Sequence, residues 1–255
     1  MTITKYRQLA ADLREDIRAG RYPPGTTLPT YLEMAAERGV SKTTVSTALQ
    51  ILEAEGLVRP VRNRGTVVLD QRAVRVEYSR YIAALDPDTQ LGPWEIACAR
   101  QGINGEMRVI ETEHGPADAE VAAALGILEG TEVVRRSRHA VIGNGTAQVV
   151  QIHTAWYPAW MVEGTPISGE RKVTGGIYAA LAAAGHMPVT ASETVTSREA
   201  TDEETAELHM RSGAVLVVER VTRDGAGRGL EWLRIVSDPA RTVLVYDDLP
   251  LSRSR

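Results

Sequence analysis

The sequence predicts an α+β chain in two parts: three short helices closed by a β-hairpin, then a mixed, largely antiparallel sheet with interspersed helices. Three observations carry this. Apolar residues recur at three- and four-residue steps as far as Gly56, and from about Trp94 predicted strands alternate with predicted helices. At 255 residues and 43% hydrophobic content, the chain exceeds one typical domain of ~100–200 residues and has enough apolar side chains for two cores. Charge is also split, with 10 basic against 8 acidic residues in 1–70 and 19 against 25 in 71–255.

The first helix follows from Tyr6, Leu9, Ala10, Leu13 and Ile17, with Gly20 as its stop and Pro23-Pro24-Gly25 as a turn. Thr30 and Glu33 have the capping-box spacing and open a second helix that runs to Gly39. Ser41 caps the third, with Val40 and Val45 placed as a hydrophobic staple and Gly56 ending it. Val45, Ala48, Leu49 and Leu52 form one stripe of that helix, leaving Lys42, Thr43, Ser46, Thr47 and Gln50 on or near the opposite face. Leu57–Arg62, the turn Asn63-Arg64-Gly65 and Thr66–Leu69 read as a hairpin with a basic tip.

Residues 71–93 mix charge with Asp86-Pro87-Asp88 and Gly92-Pro93 and are read as a linker. The second domain is expected over 94–250. Its predicted order is a strand over 107–112, a helix over 118–125, and strands over 132–142 and 147–156 joined by Gly143-Asn144-Gly145. A helix capped by Thr174 follows over 176–184, then a strand in 189–198 and a helix from the Thr201–Glu204 capping box to about Met210. Strands over 215–222, 230–236 and 243–246 complete it.

Several function classes are disfavoured. The longest apolar stretch, Ile177 to Ala184, falls short of the ~20 residues of a membrane span, and the opening residues lack an apolar signal core, so a cytoplasmic protein is expected. Cys98 is the only cysteine, and His114, His139, His153, His186 and His209 lack ligand spacing, so no metal or cofactor is expected. Gly225–Gly229 lies between strands and reads as a hairpin tip, because a dinucleotide loop must run from strand into helix.

Three helices and a hairpin, with the last helix capped and polar-faced, match the winged helix-turn-helix that inserts a helix N-terminus into the major groove of double-stranded DNA. Thr30, Ser41, Lys42, Thr43, Thr44, Ser46 and Thr47 are the candidate contacts from the helices, and Arg62, Asn63, Arg64 and Gly65 those from the wing. Gln50 would read adenine if within reach. Arg38, Lys42, Arg59, Arg62 and Arg64 against Glu53 and Glu55 give this segment a modest +3, so affinity is expected to need two copies. The same polar face would equally suit a solvated helical unit or a protein-contact module.

Tyr6-Arg7-Gln8-Leu9, Pro24-Gly25, Leu28-Pro29, Gly39 through Val45, Ala48-Leu49, Leu52 through Val58 and Arg64-Gly65-Thr66 resemble the GntR family of bacterial repressors. The resemblance covers about residues 5–69 and implies a dimer on a palindromic operator. Thr30-Tyr31-Leu32 stands where that family has Ser-Glu-Arg, and Lys42 and Ser46 stand where it has arginines. Arginine makes two-pronged contacts that lysine cannot, so a different operator half-site is expected.

In the second domain Arg136 and Arg138 lie two apart on a predicted strand and so share a face, where they need either an anionic ligand or an acidic structural partner. The ion pair is the more ordinary of the two. Glu132–Arg138, Val149–Pro158, Gly175 through Tyr178, Thr194–Arg198 and Gly229-Leu230-Glu231 resemble the UTRA effector domain of the HutC subfamily, which is chorismate-lyase-like in fold. The resemblance implies a small-molecule effector, often a sugar phosphate, an amino sugar or an organic acid and here expected to be an anionic metabolite, with Arg136 and Arg138 at the ligand-facing arginines and Glu231 at the late pocket glutamate. Gln151 and His153 are candidates that stand uncharged where relatives often carry an acid, His153 being more ordinarily structural, and Tyr178 and Ser197 suit the pocket lining and the core or edge equally well. The expected function is a ligand-responsive repressor acting as a homodimer. A chorismate-lyase-like enzyme is the alternative, although no acid–base pair for it is apparent.

Overall fold

A computed structural model describes residues 4–77, 91–143, 146–210 and 213–247. The chain divides into two compact units, Met1–Arg72 with Gly143–Gln148, and Ala73–Ile142 with Val149–Arg255.

The first unit opens with α1 (Lys5–Arg18), α2 (Tyr31–Arg38) and α3 (Lys42–Ala54), followed by the antiparallel hairpin of β1 (Val58–Val61) and β2 (Gly65–Val68). Its core joins Leu9 and Leu13 of α1, Met34 of α2, and Val45, Ala48, Leu49 and Leu52 of α3 to Val58 and Val68 of the hairpin. Eight-residue α2 is too short to persist alone in water, where helices below ~12–15 residues are marginal. Packing sustains it, since each buried Leu or Met side chain contributes about 1.5–3 kcal/mol. Two ion-pair devices fix the helices. Arg14 grips Glu55 with both prongs, at 2.8 Å and 2.6 Å, and ties α1 to the end of α3. Asp16, buried, accepts from Arg21 and, at 3.0 Å, from Arg38, which ties α1 to α2.

The second unit is built on a six-stranded sheet in the order β4-β5-β6-β9-β8-β7. These strands are β4 (Gly105–Pro116), β5 (Glu132–Ile142), β6 (Gln148–Pro158), β7 (Thr190–Glu199), β8 (Ala214–Arg223) and β9 (Gly229–Ser237). The neighbours β4/β5, β6/β9, β7/β8 and β8/β9 all run antiparallel. Around the sheet lie α4 (Pro93–Ala99), α5 (Ala119–Leu125), α6 (Ala159–Val162), α7 (Gly176–Ala183) and α8 (Asp202–Glu207). Asp118 and Thr201 cap α5 and α8 through their side chains. A separate parallel pair joins β3 (Val74–Glu77) to β10 (Thr242–Val245).

Four sequence expectations need correction. Residues 74–77, assigned to the linker, form β3, because Val74 and Val76 alternate with polar residues and bury against Trp94, Cys98 and Ile103. Residues 78–90 of that linker lie outside the described residues. Thr174 does not cap α7; the N-cap is Gly175, whose φ of 75° departs from the extended backbone that a side-chain cap requires. Strand β4 is twice the expected length, and α8 ends at Glu207 rather than Met210. The glycine-rich stretch at 225–229 is a hairpin tip, held by Asp224 accepting from the amides of Ala226 and Arg228 at 2.9 Å.

Candidate nucleic-acid interface and ligand pocket

The start of α3 is set by Ser41, whose Oγ accepts from the Thr44 amide at 3.1 Å and shares a hydrogen bond with Thr44 Oγ1 at 2.8 Å. Lys42, Thr43 and Gln50 are exposed, while Ser46 and Thr47 are half-buried beside the stripe that enters the core. Thr47 Oγ1 donates to the Thr43 carbonyl at 3.0 Å. Thr30 is committed to its capping box, accepting from the Glu33 amide while its own amide donates to the Glu33 carboxylate at 2.7 Å. The opening of α3 is thus a run of small polar groups and one ammonium on an ordered backbone, with amides and helix dipole favouring an anion.

At the wing tip Arg62, Asn63, Arg64 and Gly65 are all exposed. Asn63 has φ 61° and Gly65 φ 95°, the left-handed backbone a tight three-residue loop needs. A side chain at Gly65 would also press to 3.1 Å from Thr27 Cγ2. Arg64 donates to the Gly25 carbonyl at 2.7 Å, which holds its guanidinium along the base of the wing. The charge count read from sequence overstated the exposed cations, because Arg38 belongs to Asp16 and Arg59 is half-buried, its pKa lowered by that burial. Lys42, Arg62 and Arg64 are the cations this surface presents.

In the second unit one face of the sheet floors a pocket of about 1060 Å³, open mouth included. The floor follows from register. On β6 and β9, Gln151 pairs with Ser237, His153 with Ile235, and Ala155 with Leu233; Ile235 and Leu233 then pair with Val218 and Arg220 on β8, and Arg220 with Glu193 on β7. Arg136 and Arg138 enter from β5, beside a β4 bulge at 109–111 that leaves Val109 lining the pocket. The wall opposite comes from Gly175, Gly176 and Ile177 at the uncapped start of α7, and from Val76 of β3 and Gly92–Glu95 at the start of α4.

The buried charges are placed unequally. Arg136, fully buried, spends its Nη groups on the carbonyls of Ile167 (2.7 Å), Gly169 and Arg171 (2.9 Å). Burial lowers its pKa, with Arg138 adding to the effect against Tyr157. The acidic structural partner read as one alternative from sequence is not what holds it; backbone carbonyls do. Arg138 is only 8% exposed, its Nε has no hydrogen-bond partner, and it pairs with no carboxylate among the described residues. Glu231 accepts from the Tyr157 hydroxyl and, at 3.5 Å, from Thr222. Burial, and then Glu231, push the Tyr157 pKa well up, so the phenol stays a donor. His153 bonds Gln151 at 2.9 Å, and Tyr178 bonds Thr222 at 3.2 Å.

Of the seven effector residues expected from sequence, Arg136, Arg138, Gln151, His153, Tyr178 and Glu231 line this pocket. Ser197 does not. It is exposed on β7 opposite Leu216, four residues beyond Glu193 and so about 13 Å along the strand. Its parity is right and its position along the strand is wrong. Sequence reading missed Arg220 paired with Glu193, Lys172 paired with Glu95 at 2.6 Å, and Ser237. The first pair needed the β7/β8 register, in which the two residues face each other.

Comparison with known proteins accords with both units. Residues 5–68 match the model for bacterial regulatory proteins of the gntR family, and residues 100–241 that for the UTRA domain. An uncharacterised HTH-type transcriptional regulator of Rhizobium meliloti is 31% identical over 241 residues, 92% of this chain and 91% of that one. Another from Streptomyces coelicolor is 32% identical over 95% of this chain and 92% of its own. A crystal structure of a putative GntR-family transcriptional regulator is 28% identical, covers 98% of each chain and superimposes with a TM-score of 0.58. These relatives are regulators, which removes the enzyme alternative. With a gntR-type helix-turn-helix ahead of a UTRA effector domain, the chain belongs to the GntR family of transcriptional regulators, in its HutC subfamily.

Proposed function

We propose that the protein is a cytoplasmic, ligand-responsive repressor that binds a palindromic operator as a homodimer and changes its operator affinity when an anionic metabolite enters the pocket. The observation that carries the ligand half is Arg138, a guanidinium nine-tenths buried in a pocket with no acidic partner among the described residues. A protein sustains that desolvation when a ligand anion completes the site.

On DNA, Lys42 and the amides opening α3 take phosphate, with Thr43, Thr44, Ser46, Thr47 and Gln50 toward base edges and Arg62, Asn63, Arg64 and Gly65 along the backbone. Ser41 and Thr30 position the helix starts that carry these contacts. Among the described residues the start of α3 and the wing tip present three exposed cations, Lys42, Arg62 and Arg64, a modest charge that supports binding by a dimer.

Coupling requires the ligand to favour one arrangement over another. The chain that leaves the first unit contributes Val76 and then Gly92–Glu95 to the pocket wall. A ligand there touches the segment leading to the DNA-binding unit, and shifting that segment is the proposed route to induction.

Fluorescence anisotropy with DNA from upstream of the protein's own gene tests this reading. Log affinity should fall against log salt with a slope near −0.9 per phosphate contacted. An affinity indifferent to salt, or a monomeric bound species in sedimentation, refutes it.

A further inference from the structure

We infer that the effector is a singly charged carboxylate with a largely apolar body and one hydrogen-bonding group that meets Ser237. This rests on the reading of the pocket as an anion-responsive site and narrows it.

Charge is the first constraint. Among the described residues four basic side chains line the pocket, Arg136, Arg138, Lys172 and Arg220, against three acidic ones, Glu95, Glu193 and Glu231. Lys172 is matched by Glu95 and Arg220 by Glu193. Two guanidiniums are left against the Glu231 carboxylate, one positive charge in excess. A monoanion neutralises that excess; a phosphate monoester or a dicarboxylate leaves one negative charge buried without a counterpart.

Donor geometry agrees. Arg136 has given three Nη hydrogens to carbonyls and keeps a buried Nε without a hydrogen-bond partner among the described residues. The Arg138 fork stands beside it and fits the two oxygens of a carboxylate.

The rest of the lining fixes the body. Met107, Val109, Ile177, Val218, Leu233 and Ile235 offer no hydrogen bonds, and a polyhydroxylated sugar would leave hydroxyls unsatisfied against them. One further polar atom stands apart. Ser237 is 1% exposed, and its Oγ has no hydrogen-bond partner among the described residues. It lies on the pocket floor opposite Gln151, one row past His153 and Ile235. A buried hydroxyl of this kind discriminates between ligands that do and do not satisfy it.

The test is calorimetric titration of the full-length protein with hexanoate, 6-hydroxyhexanoate, adipate, hexyl phosphate and glucose 6-phosphate. Both monocarboxylates are expected to bind at least about tenfold more tightly than the three dianions, and the hydroxy acid more tightly than hexanoate. Ser237→Ala is expected to remove about two- to tenfold of the hydroxy acid's advantage while leaving hexanoate unchanged. Arg138→Met is expected to weaken both acids at least about thirtyfold. If hexyl phosphate or glucose 6-phosphate binds as tightly as the acids and loses affinity in Arg138→Met, the carboxylate inference is overturned while the anionic effector stands. Equal gains from the hydroxyl in wild type and Ser237→Ala overturn the role of Ser237. Binding by none of the five overturns the inference, and operator binding is judged separately by the salt titration above.

Discussion

Replacing Arg138 with methionine is expected to make the ligand-free protein more stable while removing its response to effector. The guanidinium is 8% exposed and its Nε has no hydrogen-bond partner among the described residues. A buried donor left unsatisfied costs about 1–3 kcal/mol, and desolvating the charge costs several more, which Glu231 and the Tyr157 dipole offset in part. Methionine keeps most of the apolar stem against Val109 and its neighbours and discards the charge. The net expectation is a gain of about 1–3 kcal/mol. For a unit of this size each kcal/mol raises Tm by about 2–4 °C, so the shift should lie between about 2 and 12 °C. Differential scanning calorimetry of the ligand-free protein at low ionic strength resolves the two units' transitions. A Tm for the second unit that is unchanged or lower in Arg138→Met would show that the arginine is satisfied within the fold and needs no ligand to complete it.

Other expectations concern the first unit. Lys42→Ala should weaken binding to all DNA sequences alike and make the log–log salt slope of a dimer shallower by about 2, measured by anisotropy. Asp16→Asn should destabilise the unit by about 1–3 kcal/mol in urea titration, because it removes the buried carboxylate that the partly exposed Arg38 and the exposed Arg21 share. Burial works against ionisation of Asp16, but hydrogen bonds and charge from Arg21 and Arg38 prevail and its folded pKa is lowered. Its stabilising contribution is therefore present above the unfolded aspartate pKa of about 3.9 and lost as pH falls through the lower folded value. Wild type should lose stability in that acid window, and Asp16→Asn should lose less there. Ser41→Ala removes the cap of α3 and should cost about 1 kcal/mol by urea titration, whereas Ser41→Asp should retain most of that stability.

The first unit was legible because its information is local. Ser41, Thr30 with Glu33, and the stripe of Val45, Ala48, Leu49 and Leu52 each specify a boundary or a face within a few residues, and the structure has α3 at Lys42–Ala54. The pocket depended on distant pairings. Parity along β5 put Arg136 and Arg138 on one face, but only the β6/β9/β8/β7 register aligns Ser237 with Gln151 and Glu193 with Arg220. Ser197 failed for the same reason, since alternation gives the face of a residue and says nothing of how far along the strand the cavity reaches. Arg136 shows a third limit: carbonyls of Ile167, Gly169 and Arg171 bind it, and backbone acceptors carry no sequence signature. Residues 74–77 escaped notice because their partner strand begins 168 residues later, at Thr242.

That last pairing bears on the order of synthesis. Strand β3 is synthesised well before β10, yet Val76 of one and Leu244 of the other both line the pocket. A nascent chain lacks that part of the wall until Thr242–Val245 has been made. On the proposed function, effector binding is therefore expected only once β10 has joined the fold. A chain truncated before Thr242 would keep α3 and the wing and lose Leu244 from the pocket wall, and on the proposed function is expected to bind operator without responding to effector.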